Sequence, residues 1–272
     1  MVQKPLISIV IPTKNSGKVL RQCLQSIKGQ AYGRLEIIIV DAHSRDGTES
    51  IARSFGARFI TAPGTPPVAR NLGFSKAKGA IFVSIDSDML LEPGLLAEVA
   101  ALMKNHDALI LSEVGHGKNF LSRCKDLEKR CYLGDEEVES VRAFSSRVFR
   151  AVGGYDAGLH FGEDHDLHLR IVPHYRVGRT ALHIMHDTSK LSLPGLLRKA
   201  YTYGASLRPY AAKHRRPPTP FPGHPKSLFI RHAGKLVREP VLAMGLFFIR
   251  CLEYLAGAMG FLSSLAGGGG KK

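Results

Sequence analysis

Short apolar runs alternate with amphipathic segments along the first half of the chain. Runs rich in β-branched residues predict strands, and apolar residues three or four positions apart predict helices. The predicted strands are LISIVI (6–11), LEIIIV (35–40), RFI (58–60), AIFVSI (80–85) and ALILS (108–112), and the predicted helices cover about 17–29, a segment from Thr48, 67–77 and 94–105. Strands that are apolar throughout and alternate with helices are typical of a parallel sheet covered on both faces. The pattern therefore predicts a doubly wound α/β domain.

The second half of the chain is less regular and contains a proline-rich break. Its predicted elements are a charged helix over 118–131, a short strand, a helix and a Gly-Gly turn within 140–156, a helix that begins at Glu163, a strand near 176–185 and a helix over about 192–213. Five prolines in HRRPPTPFPGHP (214–225) predict an extended linker. We therefore expect an α/β domain over 1–213, a linker over 214–225, a helical segment over 226–266 and a disordered GGGGKK tail over 267–272.

The apolar segment 239–266 is long enough to cross a bilayer, but Arg250 and Glu253 lie in its middle. A central charge costs about 2.5–3.5 kcal/mol on insertion scales, and pairing of the two charges across one helical turn reduces that cost. The segment is compatible with a marginal transmembrane span, with an interfacial or re-entrant hairpin, or with a helix pair packed on the α/β domain. The cations before it suit the headgroups of an anionic membrane surface: Arg215, Arg216, Lys226, Arg231, Lys235 and Arg238.

Charge and cysteine content limit the partners and the cellular compartments that are expected for the chain. The chain has 272 residues and a formal net charge of +15, from 38 Lys and Arg against 23 Asp and Glu, so an anionic partner is expected. A nucleic acid is not expected, because the sequence has no recognition motif and no basic run interleaved with aromatic residues. The four cysteines form no C-x-x-C pair, and the N-terminal apolar run is too short for a signal peptide. We therefore expect a location at the cytoplasmic face of the cell membrane, either peripheral or with one marginal C-terminal span.

Polar residues follow three of the predicted strands, where a doubly wound sheet binds its ligands. Pro12 and Thr13 follow the first strand, Asp41 follows the second, and Asp86 follows AIFVSI. Asp86 and Asp88 are two residues apart in an extended segment, so both carboxylates project to one side and suit Mg²⁺ or Mn²⁺. The alternative is that Asp-Ser-Asp only begins a turn and caps the following helix.

Two further segments carry side chains suited to a nucleotide site. Asp41 has an acceptor for a nucleobase N–H or a ribose hydroxyl, whereas Asp46 of the same segment fits a helix cap better. Arg70 and Asn71 lie in a predicted helix after a proline-rich loop. Arg70 can hold a phosphate through two parallel hydrogen bonds, or it can form an ordinary surface ion pair.

The densest cluster of ionisable residues is GEDHDLHLRI (162–171). A helix that begins at Glu163 has Asp164 in the same first turn, and a carboxylate there can reach an attacking hydroxyl as a general base. Acidic residues at a helix start are also favoured by the helix dipole, which is the structural alternative. His183 and His186 lie at the end of the last predicted strand, and a histidine there, opposite Asp88, can complete a metal shell.

Taken in order, these motifs resemble those of the family 2 glycosyltransferases of the GT-A fold, a Rossmann-like doubly wound fold with a mostly parallel sheet. The motifs that carry the resemblance, over about residues 5–190, are SIVIPTKN (8–15), VDAHSRDGT (40–48), ARNLG (69–73), DSD (86–88), GGYD (153–156), GEDHDLHLR (162–170) and HD (186–187). The resemblance implies that a sugar is transferred with inversion from a nucleotide-sugar donor, a UDP- or GDP-sugar, with the help of Mg²⁺ or Mn²⁺.

The resemblance also implies roles for individual residues. Asp164 would be the catalytic base, with Glu163 as the alternative. The metal would be held by Asp86, Asp88 and His186. The nucleotide-sugar would be bound by Pro12, Thr13, Asp41, Arg70, Asn71 and Asp86.

The resemblance is weaker on the acceptor side. Residues 199–216 and the apolar C-terminal segment resemble the corresponding parts of membrane-associated members that act on lipid-linked acceptors. We therefore expect a lipid-linked or glycan acceptor, with a polyprenyl-phosphate glycosyl synthase as the alternative. The Gln-x-x-Arg-Trp motif of processive synthases is missing and the chain has no Trp, which argues against a processive polymerase.

Other classes of protein fit the sequence less well. A sugar-phosphate nucleotidyltransferase requires a Gly-rich basic loop after the first strand, and PTKNSGK (12–18) lacks the glycines. A metal-dependent hydrolase requires H-E-x-x-H or a comparable spacing, which HFGEDHDLH (160–168) lacks. A basic nucleic-acid-binding protein would explain the net charge of +15 but lacks a recognition motif.

Overall fold

The strands and helices of the chain follow the predicted alternation. The computed structural model describes residues 4–135, 138–214 and 229–266. Its strands are β1 (Ile7–Thr13), β2 (Leu35–Asp41), β3 (Arg58–Thr61), β4 (Ile81–Ser84), β5 (Met89–Leu91), β6 (Ala108–Ile110), β7 (Glu113–His116), β8 (Val141–Ser145), β9 (Val177–Arg179) and β10 (Ile184–Asp187). Its helices are α1 (Leu20–Lys28), α2 (Thr48–Ser54), α3 (Pro66–Ser75), α4 (Leu95–Leu102), α5 (Phe120–Tyr132), α6 (Ser146–Ala151), α7 (Glu163–Ile171), α8 (Leu193–Ala205), α9 (Leu207–His214), α10 (Ala233–Arg238) and α11 (Pro240–Ala266).

The larger sheet has seven strands in the order β3-β2-β1-β4-β8-β6-β9. The pairs β1–β2, β1–β4, β2–β3 and β6–β9 are parallel, whereas β8 runs antiparallel to both β4 and β6. The predicted α/β class with a mostly parallel sheet is therefore confirmed.

Side chains of the central strands alternate between two apolar cores, because successive residues of a strand point to opposite faces of the sheet. In β1, Ile9 lies in the core that α1 and α4 cover, whereas Val10 lies in the core that α3, α6 and α7 cover. Burying one such side chain contributes about 1.5–3 kcal/mol, so a shift of one residue in any central strand would be costly. Helices cover both faces, as the doubly wound prediction requires.

The packing of α3 on β1 brings Arg70 towards the ends of the strands. A Cβ atom at Gly73 would lie 2.4 Å from Val10 Cγ1, so only glycine permits this close approach of helix and strand. Arg70 lies one helical turn before Gly73 in α3. At the same edge Thr13 of β1 is paired in register with Asp41 of β2.

A second, three-stranded sheet has the order β5-β10-β7 and was only partly predicted. The strand predicted near 176–185 is instead two strands, β9 and β10, which belong to different sheets. Between them the backbone N–H groups of Ala181 and Leu182 donate to the Glu98 carboxylate at 2.6 and 3.0 Å, so they do not join a ladder. The helix predicted over 192–213 is likewise divided, into α8 and α9, at Ser206.

The chain forms two compact units that interleave along the sequence. Unit 1 comprises Met1–Glu113, Glu139–Ala157 and Glu163–His186, and unit 2 comprises Val114–Val138, Gly158–Gly162 and Asp187–Lys272. The bounds of the two domains expected from the sequence stay a prediction. The predicted linker after His214 and the predicted disordered tail (267–272) lie outside the described residues.

Unit 2 contains α11, a single helix of 27 residues. It is the one helix of the described residues that is long and apolar enough to cross a membrane, with a mean hydropathy of 1.6 in its most apolar stretch. The segment is therefore neither a hairpin nor a helix pair. Glycines let α11 pack closely against α8. A Cβ atom at Gly204 of α8 would lie 1.9 Å from the backbone oxygen of Gly257, and a Cβ atom at Gly260 would lie 2.0 Å from the backbone oxygen of Tyr201.

Candidate active site

Arg70 lies at the centre of a cluster of carboxylates in unit 1. Its side chain is 3% exposed. Nη2 donates to Asp86 Oδ1 at 2.6 Å, and Nη1 donates to Glu163 Oε1 at 2.9 Å. Nη1 also lies 3.5 Å from Asp164 Oδ1, and the guanidinium group lies over the Tyr155 ring, 5.3 Å from its centroid. Arg70 therefore holds carboxylates from two distant chain segments together in a buried ion-pair network.

Helix α7 supplies Glu163 and Asp164 from its first turn, as the sequence predicts. Glu163 is hydrogen-bonded to Arg70, but both oxygens of Asp164 lie farther from their cationic neighbours. Asp164 Oδ1 is 3.5 Å from Arg70 and Oδ2 is 3.7 Å from Arg142, distances longer than a good hydrogen bond. Asp164 is thus held less tightly by the arginines than Glu163 is.

Arg142 and Glu113 complete the cluster, although neither is among the site residues predicted from the sequence. Arg142 Nε donates to Glu113 Oε1 at 2.7 Å, and its guanidinium group lies 3.7 Å from both Asp86 Oδ2 and Asp164 Oδ2. The antiparallel pairing of β8 with β4 places Arg142 beside these carboxylates. Ala143 is opposite Val83, so Arg142, the residue before Ala143, lies next to the C-terminal end of β4. Arg142 therefore bridges the carboxylates of the β4 end and of α7.

A signal for both of these residues was present in the sequence. Glu113 directly follows the apolar run ALILS, the same placement after a strand that singled out Asp41 and Asp86. Arg142 interrupts the otherwise apolar start of VRAFS (141–145), and a charged residue inside a buried strand requires a buried partner.

Strand β10 brings His186 next to Asp88. The antiparallel register of β10 and β5 sets His186 opposite Met89, the residue after Asp88. His186 Nε2 lies 2.9 Å from Asp88 Oδ2, and Nδ1 lies 3.5 Å from Glu113 Oε2. His183, the competing candidate, instead lies 3.4 Å from a carboxylate oxygen of Glu92.

Asp88 and His186 together offer one carboxylate and one imidazole to a divalent cation. Asp86, the third predicted ligand, directs Oδ1 towards Arg70 instead. Over residues 4–135, 138–214 and 229–266, no three His, Cys, Asp or Glu side chains are arranged to hold a metal ion. Mg²⁺ commonly takes one or two protein carboxylates and completes its shell with water and substrate phosphates, and Mn²⁺ also accepts imidazole. The pair therefore fits an ion that is bound largely by a diphosphate.

The predicted nucleoside contacts lie at the ends of β1 and β2. Asp41 is 2% exposed, and its Oδ1 accepts hydrogen bonds from Thr13 Oγ1 at 2.8 Å and Ser44 Oγ at 2.5 Å. Its Oδ2 accepts one from Ser44 N at 2.7 Å. Pro12 precedes Thr13 in β1 and is half-buried. These contacts fix the Asp41 carboxylate rigidly at the edge of the sheet.

Asn71 bonds the backbone of Tyr155 at both ends of its amide. Nδ2 donates to Tyr155 O at 2.8 Å, and Oδ1 accepts from Tyr155 N at 2.9 Å. Gly154, with φ +69°, permits this contact, because a Cβ there would lie 2.7 Å from Asn71 Oδ1. Asn71 therefore fixes the ring that lies under the Arg70 guanidinium group.

Two other acidic residues of the motifs, Asp46 and Asp166, form contacts outside the cluster around Arg70. Asp46 accepts hydrogen bonds from the backbone N–H groups of Gly17 at 2.9 Å and Thr48 at 3.1 Å, and so secures the turn before α2. Asp166 is fully buried and pairs with Arg170 at 2.8 Å. Both contacts stabilise the scaffold around the cluster.

The charges of the cluster shift the pKa values of its members in opposite directions. Burial raises the pKa of the Glu163 carboxyl, and the neighbouring Asp164 charge raises it further, although Arg70 opposes both. Burial also acts to raise the pKa of Asp86, but the guanidinium groups of Arg70 and Arg142 outweigh it and lower that pKa below its ordinary value. Asp86 therefore stays ionised, whereas Glu163 takes up a proton more readily than an ordinary glutamate.

The sequence and the fold both match known proteins. The family model Glycosyl transferase family 2 matches residues 8–137, a stretch that contains Asp41, Arg70, Asp86 and Asp88 and ends before Arg142. A pre-mycofactocin glycosyltransferase of Mycobacterium tuberculosis is 26% identical over 232 residues, which cover 76% of this chain and 48% of that protein. The chain spans about half the length of the curated relatives it matches.

Solved structures share the fold at low sequence identity. The mannosyltransferase PcManGT from Pyrobaculum calidifontis, in complex with GDP-Man and Mn²⁺, has a TM-score of 0.59 and 19% identity, over 98% of this chain and 80% of that chain. TarS of S. aureus, in complex with UDP-GlcNAc, has a TM-score of 0.54 and 17% identity, over 74% of this chain and 66% of that chain. These structures show that the chain shares their fold, and the family-model match and the curated glycosyltransferase relatives place its residues 8–137 in family 2 of the glycosyltransferases.

Proposed function

We propose that the chain transfers a sugar from a nucleoside diphosphate sugar to an acceptor hydroxyl, with inversion at the anomeric carbon. The observation that carries the proposal is the position of Asp164 beside Asp86, both within 3.7 Å of Arg142. A candidate base thus lies next to the strand end at which doubly wound sheets bind nucleotides.

Asp164 is the proposed general base. Its carboxylate takes the proton of the acceptor hydroxyl while the hydroxyl oxygen attacks C1 of the sugar from the face opposite the nucleotide. The bond between C1 and the diphosphate oxygen breaks, and the nucleoside diphosphate leaves with the electron pair. Asp164 is favoured over Glu163, because Glu163 is already hydrogen-bonded to Arg70 at 2.9 Å.

The two buried arginines position the carboxylates for this step. Arg70 contacts Asp86, Glu163 and Asp164, and Arg142 contacts Asp86 and Asp164 from the other side. Arg70 and Arg142 lie 3.5 and 3.7 Å from the two oxygens of Asp164 and so favour one orientation of its carboxylate. Rigid placement of this kind contributes to catalysis because reacting groups are aligned before the reaction begins.

The excess of negative charge in the cluster supports a role for a divalent cation. Two guanidinium groups face four carboxylates, those of Asp86, Glu113, Glu163 and Asp164, and a fifth carboxylate, that of Asp88, lies against His186. A nucleoside diphosphate would add further negative charge. Mg²⁺ or Mn²⁺, held by Asp88 and His186 with the diphosphate, would offset the charge of the leaving group.

The proposed donor is a UDP- or GDP-sugar. Asp41 Oδ2 accepts a single hydrogen bond, from Ser44, and can accept a second from a base N–H or a ribose hydroxyl. Thr13 and Pro12 lie beside it in the proposed nucleoside site, and Asn71 acts through Tyr155. The structural neighbours TarS and PcManGT are in complex with UDP-GlcNAc and GDP-Man, which supports this class of donor.

A thermal-shift panel of UDP, GDP and their sugars, with and without Mn²⁺, tests the proposal. At saturating concentration we expect one nucleotide to raise the Tm by about 5 °C in the presence of Mn²⁺. The His186→Ala variant should lose the Mn²⁺-dependent part of the shift. His183→Ala is the matched control and should keep it, because His183 contacts Glu92 and not Asp88. If no nucleotide changes the Tm, the proposed activity is wrong.

The Glu163→Gln variant is expected to be less active than the wild type at neutral pH and to lack the wild type's fall in activity at acid pH. In the wild type burial raises the pKa of the Glu163 carboxyl, and Arg70 interacts more strongly with Asp164 once Glu163 takes up a proton. Activity should therefore fall as the pH decreases through the raised pKa of Glu163. Glutamine is uncharged at every pH and resembles protonated Glu163, so the variant should already have the lower activity at neutral pH. A fall in activity at the same pH in both proteins would contradict this role.

The acceptor is proposed to be lipid-linked or a glycan. A polyprenyl phosphate is the alternative acceptor, and its oxygen is already ionised, so Asp164 would have no proton to take. The apolar helix α11 supports a lipid-linked acceptor and a location at a membrane, and the side proposed is the cytoplasmic face.

A further inference from the structure

We infer that helix α11 lies in the plane of a lipid bilayer, with one long face in the apolar region, and does not cross the bilayer. The inference concerns unit 2 and does not depend on the proposed sugar transfer. It is based on how charged and apolar side chains are distributed around α11.

The two charged residues of α11 point into unit 2. Arg250 and Glu253 are 9% and 5% exposed. Arg250 forms an ion pair with Glu128, donates to the Tyr132 hydroxyl at 2.5 Å and lies 3.2 Å from Glu253 Oε2. Lys125 Nζ lies 3.2 Å from the same oxygen. The two charges are therefore compensated by α5 and need no contact with solvent.

The opposite face of α11 is apolar and exposed. Its large side chains are 48–72% exposed: Val241, Met244, Phe247, Phe248, Leu255, Met259, Leu262 and Leu265. At 100° per residue they cover an arc of about 120° along the whole helix, about 40 Å long. A helix on the surface of a soluble protein turns such an arc towards the core and its charges towards water. The reverse arrangement in α11 indicates an apolar medium on its outer side.

A bilayer fits this face better than a second copy of the chain. A seam between two helices needs only a narrow apolar stripe, which is flanked by charged residues that set the pairing. The residues that flank the centre of the arc, Phe247 and Met259, are apolar and exposed as well. No exposed residue of α11 is charged. The breadth of the arc and its lack of charged flanks suit hydrocarbon.

The partners of α11 within unit 2 exclude a transmembrane orientation. Helix α5 packs along α11 and carries six charged residues: Arg123, Lys125, Asp126, Glu128, Lys129 and Arg130. Helix α8 also packs on α11 and exposes Arg198 and Lys199. A spanning α11 would draw these charges into the hydrocarbon with it. Lying in the plane, α11 buries only its apolar arc and leaves α5 and α8 on the aqueous side.

Cations just before α11 suit an anionic headgroup layer. Arg231, Lys235 and Arg238 lie at or next to α10. Arg231 is exposed and pairs with Asp135 at 2.8 Å, Lys235 Nζ donates to Arg130 O, and Arg238 is exposed at the end of α10. A basic cluster beside an apolar helical face is the usual composition of an interfacial membrane helix.

Flotation of the full chain with vesicles tests whether the face binds lipid. We expect binding to vesicles of phosphatidylcholine with phosphatidylglycerol, and weaker binding to phosphatidylcholine alone. The triple variant Met244→Glu, Phe248→Glu, Leu255→Glu should bind at least about a hundredfold more weakly, because three buried apolar side chains are lost. The matched control, Met244→Leu, Phe248→Leu, Leu255→Ile, should bind like the wild type. Equal binding by the acidic variant, or a stable dimer that does not float with vesicles, would overturn the inference.

Cys251 provides a measure of the depth and orientation of α11. It is the exposed cysteine of the described residues, lies near the middle of α11, and can be labelled while Cys23, Cys124 and Cys131 stay buried. Quenching by lipids that carry a quencher at known depth should place a fluorophore on Cys251 about 5–10 Å below the headgroups. A label at the bilayer centre, about 15 Å deep, would show a span and contradict the in-plane orientation. Cys251→Ser gives the background labelling.

Discussion

The Asp164→Asn variant is expected to lose about 10³-fold in kcat with a hydroxyl acceptor while its affinity for the donor nucleotide stays unchanged. Asparagine has the shape of aspartate but cannot take the proton of the acceptor, and a general base contributes about 10²–10⁴-fold to such a reaction. The guanidinium groups of Arg70 and Arg142 lie 3.5 and 3.7 Å from Asp164, so the amide should leave both arginines in place. Steady-state kinetics, together with titration of the nucleotide, separates the loss in kcat from any loss in binding.

Asp166→Asn is the matched control for this variant. Asp166 lies in the same first turn of α7, but it is fully buried and paired with Arg170. Its replacement should lower the stability of the fold and leave kcat nearly unchanged in the protein that remains folded. If Asp164→Asn turns over hydroxyl acceptors at the wild-type rate, Asp164 is not the base. If it transfers sugar only to a polyprenyl phosphate, the alternative acceptor is favoured.

The Arg70→Ala variant is expected to lower the free energy of unfolding by about 3–5 kcal/mol. Removing one member of a buried ion-pair network leaves its partners as uncompensated charges. In this case the carboxylates of Asp86, Glu163 and Asp164 would repel one another. Water would screen this repulsion only in part, because the three side chains are 30%, 15% and 24% exposed. Urea unfolding followed by circular dichroism measures the change.

An exposed arginine serves as the control for Arg70. Arg53 pairs with Glu49 one turn away on α2, and the two side chains are 62% and 55% exposed. Arg53→Ala should therefore cost less than about 1 kcal/mol. Adding Glu163→Gln to Arg70→Ala should restore part of the stability, because it removes one of the uncompensated charges. If Arg70→Ala is no less stable than Arg53→Ala, the network does not stabilise the fold.

Hydrophobic patterning predicted the larger sheet well because its strands are covered on both sides. In β1 and β2 both faces are buried, so each strand is an unbroken apolar run that is visible in the sequence. Short strands have no such signature. β5 contains only three residues and β9 and β10 are separated by a turn secured by Glu98, so their pairing depends on contacts far apart in the chain.

Several residues of the candidate site were predicted from the sequence, but the contacts between them were not. The positions of Asp86, Asp88 and Asp164 after a strand or at a helix start were visible as local patterns. Arg70 was interpreted as a phosphate contact or a surface ion pair, whereas the structure buries it among three carboxylates. Arg142 was missed because its partners, Glu113 and Asp164, lie about 20 to 30 residues away on either side.

For the C-terminal helix, too, the sequence showed the composition but not the contacts. Its length and apolar composition were evident from the sequence, and so was the presence of Arg250 and Glu253 in its middle. Which way those two charges point depends on α5, more than 100 residues earlier in the chain, which supplies Glu128 and Tyr132.

The sequence alone determined the α/β class, the order of the main elements, the charged motifs and the family resemblance, because these depend on local periodicity and on residue types at short spacing. Only the tertiary structure decided which charges meet: Arg70 with Asp86 and Glu163, Arg142 with Glu113, and His186 with Asp88. It also decided which face of α11 is left exposed. The physical reason is that charge compensation and burial are settled between segments distant in the chain, and no local pattern records which of the possible partners will be brought into contact.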